Sequence, residues 1–428
     1  MERTMLTKEG ILELLSAYGI HTCGEFQFVD SSQGEDDIRR NYIIDKKYVL
    51  RLNSAHVMND KRIADLNRLI QRYRDFGIKA PCFIPNSKGS YTIQKDGYIC
   101  YLSEYLDCTI ADDILDTCRK EMISQRVIMV AKFAQRYKGV DLIDTMSMYS
   151  IFDLSPYDAL LGGIDDKQDN CNTLIQDLKD LGEIQLAEYV FHVNEAIRRE
   201  LLSFYKELPR CVFQGDENFS NVCVDDKNTI IGLFDFNMAG TEVNANYLAN
   251  IAFQGNYYYT DGIFDSHTGS EIFEMVLNSY QANTALLRQH YHFTEQEFYA
   301  YKLYSKLVIL FGYWNQYAYS EYAKNEKYKK KSLELLHLVL KTNFYFNNLC
   351  RLAGYLSGGR RHARKFCVSE FRQTQEYHVY NVHNWGLFPL STVFPGGWDG
   401  MRECRPSLPG ALMQGDPPTF RSVNRIRS

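Results

Sequence analysis

Apolar positions along the first hundred residues change their period several times, and each change marks an element. Ile11, Leu15 and Tyr18 recur at helical spacing within Thr7 to Tyr18, and Gly19 is placed to end the segment, which predicts a first helix. Aromatic and β-branched residues predict strands over 24–30 and 41–52, separated by the turn-rich run Ser31-Ser32-Gln33-Gly34-Glu35-Asp36-Asp37. A second helix is expected from Asn59 to Phe76, with Ile63, Leu66, Ile70 and Tyr73 on one face and Gly77 and Pro81 stopping it. Tyr91 to Leu106 reads as a hairpin turning at Asp96-Gly97. Strand, loop, strand, helix and hairpin in that order describe a small α+β lobe covering residues 1–106.

From 107 to 350 the pattern is mostly helical. Ile123, Val127, Val130, Ala134 and Tyr137 form one stripe within 111–137, and Thr294-Glu295-Gln296-Glu297 is a capping-box start for an apolar helix reaching about Tyr317. One strand-like segment, Val212 to Phe236, interrupts the helices. It contains a hairpin with arms Asn221–Val224 and Ile230–Phe234, joined by Asp225-Asp226-Lys227-Asn228. Residues 351–428 differ from everything before them: six of the ten prolines lie between Pro389 and Pro418, and arginine replaces lysine as the usual cation. That composition buries little apolar surface and predicts a linker or disordered extension, or a segment foreign to the domain.

Charge follows the same division. The net −5 is the sum of +6 from Arg351 onward and −11 over the first 350 residues. An acidic body argues against nucleic acid as a partner, since phosphate backbones need clustered cations. There is no apolar run of about 18 residues, and Met1 to Met5 leads directly into a charged helix; a cytoplasmic protein without a membrane partner is expected. The eleven cysteines are scattered with no C-x-x-C pair, which suggests a reducing compartment and no zinc site.

The candidate chemistry is concentrated between Gln214 and Asp235. Phosphoryl transfer asks little covalent work of a protein: a group to accept the hydroxyl proton, oxygen ligands for magnesium, and cations on the phosphates. Asp216 and Asn221 are five apart, so one tight loop can present a carboxylate to an incoming hydroxyl and a carboxamide oxygen to a metal. Asp235, at the end of the hairpin, returns a second carboxylate to the same cleft. Taken singly, a Gly-Asp pair is a turn, an Asn before a strand is a cap, and an Asp after an apolar run ends a strand. The three together at these spacings point to a site.

Gln214-Gly215-Asp216-Glu217-Asn218-Phe219-Ser220-Asn221, followed by Ile231-Gly232-Leu233-Phe234-Asp235-Phe236, resembles the aminoglycoside phosphotransferase and choline kinase family, which has the protein-kinase-like two-lobe fold and phosphorylates small molecules. The resemblance implies ATP and Mg2+ as cofactors, Asp216 as catalytic base, and Asn221 and Asp235 as metal ligands. The family usually has histidine where this chain has Gln214, a side chain that supports the loop by hydrogen bonds; glutamine also donates and accepts. On Lys47–Leu52, period two puts Val49 and Arg51 on one face, as an adenine ceiling followed by a phosphate-binding cation requires. Arg51 departs from the lysine of protein kinases but keeps the charge. The acid that pairs with such a cation lies on the following helix, where Asp65 is the best-placed candidate. Ser31 to Gly34 is a weak candidate for a phosphate-covering loop. Leu102-Ser103-Glu104-Tyr105-Leu106 resembles a kinase hinge, in which backbone groups of Glu104 and Leu106 bond the adenine edge.

The implied partner is a small-molecule hydroxyl acceptor. The acidic stretch from Asp153 to Asp169, and Tyr247 to Phe264 with Tyr257-Tyr258-Tyr259 and Asp261, would suit one that carries an amine. The alternative is a catalytically weak nucleotide-binding scaffold, motivated by the departures at Gln214 and Arg51.

Overall fold

The structure is a computed structural model and describes residues 5–32, 38–54, 58–253 and 257–342; the expected tail at 351–428 lies outside them. The first helix, α1 (Lys8–Ala17), starts at Thr7, whose side chain accepts the Gly10 amide. It lies on one face of an antiparallel sheet built from β1 (Phe26–Asp30), β2 (Arg39–Ile44), β3 (Tyr48–Asn53), β4 (Phe83–Ile84), β5 (Thr92–Lys95) and β6 (Tyr98–Glu104), in the order β1-β2-β3-β6-β4 with β5 also on β6. Ile11, Leu14 and Leu15 meet Tyr42, Ile44, Leu50, Leu52, Cys100 and Leu102 there. Removing this apolar surface from water holds the helix on the sheet, at about 1.5–3 kcal/mol for each fully buried large side chain. Because Leu50 and Leu52 face this core, period two turns Val49 and Arg51 to the opposite face, where both are half-buried.

The strand expected over 41–52 is in fact two. Asp45 and Lys46 both take positive φ, 51° and 50°, and form a tight turn between β2 and β3 without the glycine that announces such turns. Asp45 also accepts the amides of Gly24 and Glu25 through its carboxylate, and these bonds hold it there. The hairpin at Asp96-Gly97 forms as expected, with φ of 54° and 81°.

The second helix, α2 (Asp60–Asp75), is capped by Asn59 and fixed to the sheet through Asp60, whose carboxylate accepts the amides of Tyr91 and Thr92 at 3.0 and 2.8 Å. Leu66, Ile70 and Tyr73 are buried, and Tyr73 stacks on Phe133 of the helical lobe at 4.0 Å. After β6 come β7 (Thr109–Ile110) and the helices α3 (Leu115–Arg136), α4 (Asp166–Asp180) and α5 (Ile184–Leu202). Four short strands follow: β8 (Arg210–Phe213), β9 (Val222–Val224), β10 (Ile230–Leu233) and β11 (Gly240–Val243). β9 lies between β10 and β7, and β8 pairs with β11, so the chemistry-bearing stretch is enclosed by two small sheets.

The helices α6 (Asn244–Ala252), α7 (Asp261–Ser266), α8 (Gly269–His290), α9 (Glu295–Phe311), α10 (Tyr313–Lys324) and α11 (Lys329–Lys341) complete the lobe. The Thr294 capping box is present with both of its reciprocal bonds. The helix it opens ends at Phe311 and not Tyr317, because Gly312 leaves the helical region and starts α10. A small antiparallel sheet lobe with its one long helix, followed by a larger helical lobe, is the protein-kinase-like two-lobe arrangement. Among the described residues no helix is long and apolar enough to cross a membrane.

Cys108 and Cys223 are joined as a disulfide across 115 residues of sequence, with Cα atoms 5.7 Å apart. The expectation of a reducing compartment, drawn from the scatter of the cysteines, does not anticipate this pair. β7 brings it together: Ile110 lies opposite Cys223 in the register of β7 with β9.

Candidate active site

The chain leaves β8 at Phe213 and enters a loop in which each of the next three amides is bonded. Gln214 donates its amide to the Tyr73 hydroxyl at 3.3 Å, Gly215 to the Tyr247 hydroxyl at 3.1 Å, and Asp216 to the Gln214 side-chain oxygen at 2.7 Å. The Gln214 carboxamide nitrogen in turn donates to the carbonyls of Phe234 and Asp235, at 2.9 and 2.6 Å. One fully buried glutamine therefore fastens the Asp216 loop to the Asp235 segment, using donor and acceptor together. The departure from histidine leaves the loop supported.

Asp216 is held at both carboxylate oxygens. Asn218 donates to one at 2.5 Å and Asn221 to the other at 2.8 Å, and Asn221 also donates to the Asp216 carbonyl at 2.9 Å. Burial pushes the Asp216 carboxyl up to about 6, with the negative charge of Asp235 acting in the same direction and the two asparagines opposing it. Asp216, Asn221 and Asp235 are thus brought together.

Asp235 has a φ of 55°, a left-handed conformation that costs a non-glycine residue free energy and recurs where function demands it. Its Oδ1 is buried with no hydrogen-bond donor among the described residues. An orphaned carboxylate oxygen beside a second carboxylate is costly without a cation. With the Asn221 nitrogen committed to Asp216, the carboxamide oxygen is left for another ligand. These residues fit Mg2+, which takes one or two protein oxygens and completes its octahedron with water and phosphate. No cluster of three or more His, Cys, Asp or Glu side chains suited to a metal occurs among the described residues.

The sheet lobe contributes the other candidates. Arg51 lies opposite Tyr101 in the β3–β6 register, and the charges of Arg51 and Asp235 both act on the Tyr101 phenol, so the two lobes meet around that ring. Arg51 makes no ion pair among the described residues, and its Nε is buried without an acceptor. Asp65 does not supply the expected partner: its carboxylate pairs with Arg68, one turn along the same helix, at 2.9 Å. Val49 sits beside Arg51 in the sense of the strand face, opposite Ser103.

Glu104 closes β6. Its amide donates to the Cys82 carbonyl at 2.9 Å, while its carboxylate accepts the Cys82 amide at 3.0 Å and pairs with Arg74. The Tyr105 amide is given to Lys47, leaving Leu106 as the connector residue whose amide has no protein acceptor among the described residues. A half-open cavity of about 410 Å3 lies against this connector, lined by Arg74, Gly77, Lys79, Pro81 and Leu106 among others. It shares no lining residue with the Asp216 loop and is not where a phosphate acceptor would meet that carboxylate. Of the weak phosphate-loop candidate, Ser31 bonds Arg39 and Ser32 bonds Asp30; Gln33 and Gly34 lie outside the described residues.

On the acceptor side most of the expected carboxylates are already engaged. Asp153 pairs with Arg210 at 2.9 Å, Asp158 accepts the Ser155 amide at 2.6 Å, and Asp165 takes Arg198 through both of its oxygens. Asp261 accepts the Tyr322 hydroxyl, Tyr259 is buried, and Arg119 stands over the Tyr257 ring. The exceptions are Asp169 and, in the same first turn of α4, Asp166. Burial raises the Asp166 carboxyl, against the opposing charge of Lys167, and its charge acts with those of Asp216 and Glu217 on the buried Tyr149 phenol.

Several residues of the site are not conspicuous in the sequence. Arg126 donates to the Glu217 carbonyl at 2.9 Å and lies over the Phe219 ring at 4.6 Å. Its signal is a charge set within the apolar stripe of α3. Glu217, bonded by Tyr247, is pushed up to about 7 by burial. Tyr73 and Tyr247, which bind the loop amides, read as ordinary core tyrosines.

No family model matches the chain, and no curated protein is significantly similar to it. Solved structures are. An amicoumacin kinase in complex with AMP-PNP, Ca2+ and its antibiotic is 11% identical with a TM-score of 0.46, over 80% of this chain and 97% of the other. An aminoglycoside phosphotransferase from Alicyclobacillus acidocaldarius is 12% identical with a TM-score of 0.42, over 79% and 98%. A spectinomycin phosphotransferase in complex with ADP and spectinomycin is 11% identical with a TM-score of 0.41, over 80% and 100%.

Proposed function

We propose that this chain is an ATP- and Mg2+-dependent phosphotransferase that moves the γ-phosphoryl group to a hydroxyl of a small, amine-bearing molecule. The observation that carries the reading is the trio of Asp216, Asn221 and Asp235: Asp216 is gripped by Asn218 and Asn221, and the Oδ1 of Asp235 is buried with no donor among the described residues.

Asp216 holds the acceptor hydroxyl and takes its proton as the new O–P bond forms and the bond to the β–γ bridging oxygen breaks, releasing ADP. A carboxyl raised toward neutrality is a better base than an exposed aspartate, and the hydrogen bonds from the two asparagines keep it aimed. Asn221 and Asp235 hold Mg2+, which when bound neutralises charge on the phosphates. Arg51 meets the phosphates from the sheet lobe; Val49 covers the adenine, and backbone groups of Glu104 and Leu106 take its edge. Asp166 supports an amine on the acceptor, because a half-buried carboxylate whose charge reaches the same Tyr149 ring as that of Asp216 gains from a cationic partner. Of the two departures that motivate the scaffold reading, Gln214 and Arg51, the first makes three bonds that brace the loop, which supports transfer.

Titration calorimetry tests the donor half of this reading. ATP should bind the wild-type chain about tenfold or more tightly with Mg2+ than with chelator, and Asp235→Asn should remove most of that gain. Equal affinities in the presence and absence of Mg2+ for the wild type would argue against the metal site.

A further inference from the structure

A buried guanidinium outside the trio is left unexplained by the chemistry above. Arg62 sits in the first turn of α2 and is only 5% exposed. It reaches across the cleft to the segment that follows Asp235, donating through one terminal nitrogen to the Asn237 carbonyl at 3.0 Å and to the Ala239 carbonyl. Its other two nitrogens are buried without acceptors among the described residues. Burying a cation this way is expensive, so an apolar side chain would serve stability better.

The surroundings show what the arrangement secures. Gln214 takes the carbonyls of Phe234 and Asp235 on one side, and Met238 lies against Gly215 with no room for a side chain between them. Ala239 returns its amide to Phe236. Tyr157, from the acceptor side, donates to Asn237 at 2.7 Å. Arg62 hydrogen-bonds this segment to the first turn of α2, while Phe236 packs edge-on against Tyr73 near the other end of the helix, and α2 is itself anchored to the sheet lobe by Asp60. Arg51 and Asp65 do not make the ion pair that would otherwise link strand and helix.

We propose that Arg62 is a positioning residue: it locks the 235–239 segment to α2, so that Asp235 keeps its left-handed backbone and presents its carboxylate to the metal. The inference rests on the reading of Asp235 as a metal ligand.

The test uses the full chain with Arg62→Met and Arg62→Lys, and has two readouts. Hydrogen exchange of the metal-free protein should accelerate about tenfold or more in the peptide covering 235–240 in Arg62→Met, with α8 unchanged. In calorimetry, the gain in ATP affinity from Mg2+ should fall about tenfold, while metal-free affinity changes less than about twofold. Arg62→Lys can reach one carbonyl and should lie between the two; it carries the test if the methionine variant does not fold. An unchanged Mg2+ gain in both variants would overturn the inference, as would faster exchange spread evenly over the chain. A wild type that gains nothing from Mg2+ would instead refute the metal reading itself.

Discussion

Asp216→Asn should lower phosphoryl transfer roughly a hundred- to ten-thousand-fold, the usual contribution of a positioned base, and leave Mg2+–ATP affinity nearly unchanged. Asparagine keeps the shape of the side chain but cannot take a proton. Its amide would also face a donor, since both oxygens of Asp216 accept from asparagine nitrogens. The conflict resolves at the exposed Asn218, whose carboxamide can turn over. Asn221 cannot turn without losing its second bond to the Asp216 carbonyl, so the metal side of the site is preserved. Initial rates and nucleotide titrations on the same preparation check both halves. Equal rates for variant and wild type would remove Asp216 from the base role.

Gly215→Ala should be among the most damaging single-methyl additions in the chain. At a φ of 89° an L side chain is strained, and the new Cβ would fall 2.2 Å from the Met238 oxygen and 2.7 Å from the Met238 carbonyl carbon. Both neighbours are backbone, so no rotamer change relieves the clash. Strain of about 1–3 kcal/mol for the backbone and a similar amount for overpacking are expected to add. Gly97→Ala is the matched control: its φ is 81°, but nothing lies within 4 Å of its Cβ. Urea unfolding of the two variants isolates the Met238 contact. If both lose the same stability, the close approach of the two segments is not what makes Gly215 necessary.

What could be read from the sequence was what local chemistry decides. Asn59 and Thr294 announce their helices because an N-cap side chain satisfies amides within three residues. Asp96-Gly97 announces its hairpin for the same reason of short range. Asp45-Lys46 concealed a turn because the carboxylate bonds that hold it come from Gly24 and Glu25, some twenty residues earlier. The pairing of β8 with β11 and the Cys108–Cys223 link are likewise long-range. The site divides along the same line. Asp216, Asn221 and Asp235 are legible because one loop and one hairpin fix their spacing. Arg62, Arg126, Tyr73 and Tyr247 are not, because each acts across the lobe boundary or the core, and an isolated arginine or tyrosine carries no spacing. The expected Asp65–Arg51 pair is replaced by a local one: Arg68 offers its charge one helical turn away, at 2.9 Å.

Phosphorus NMR of the wild-type chain with Mg2+–ATP and a panel of amine-bearing alcohols and aminoglycosides reads phosphoryl transfer itself. A new phosphate-ester resonance should grow in step with ADP for at least one acceptor and be lost in Asp216→Asn. ATP that stays intact with every acceptor, while still binding with Mg2+, would contradict transfer and leave a nucleotide-binding scaffold.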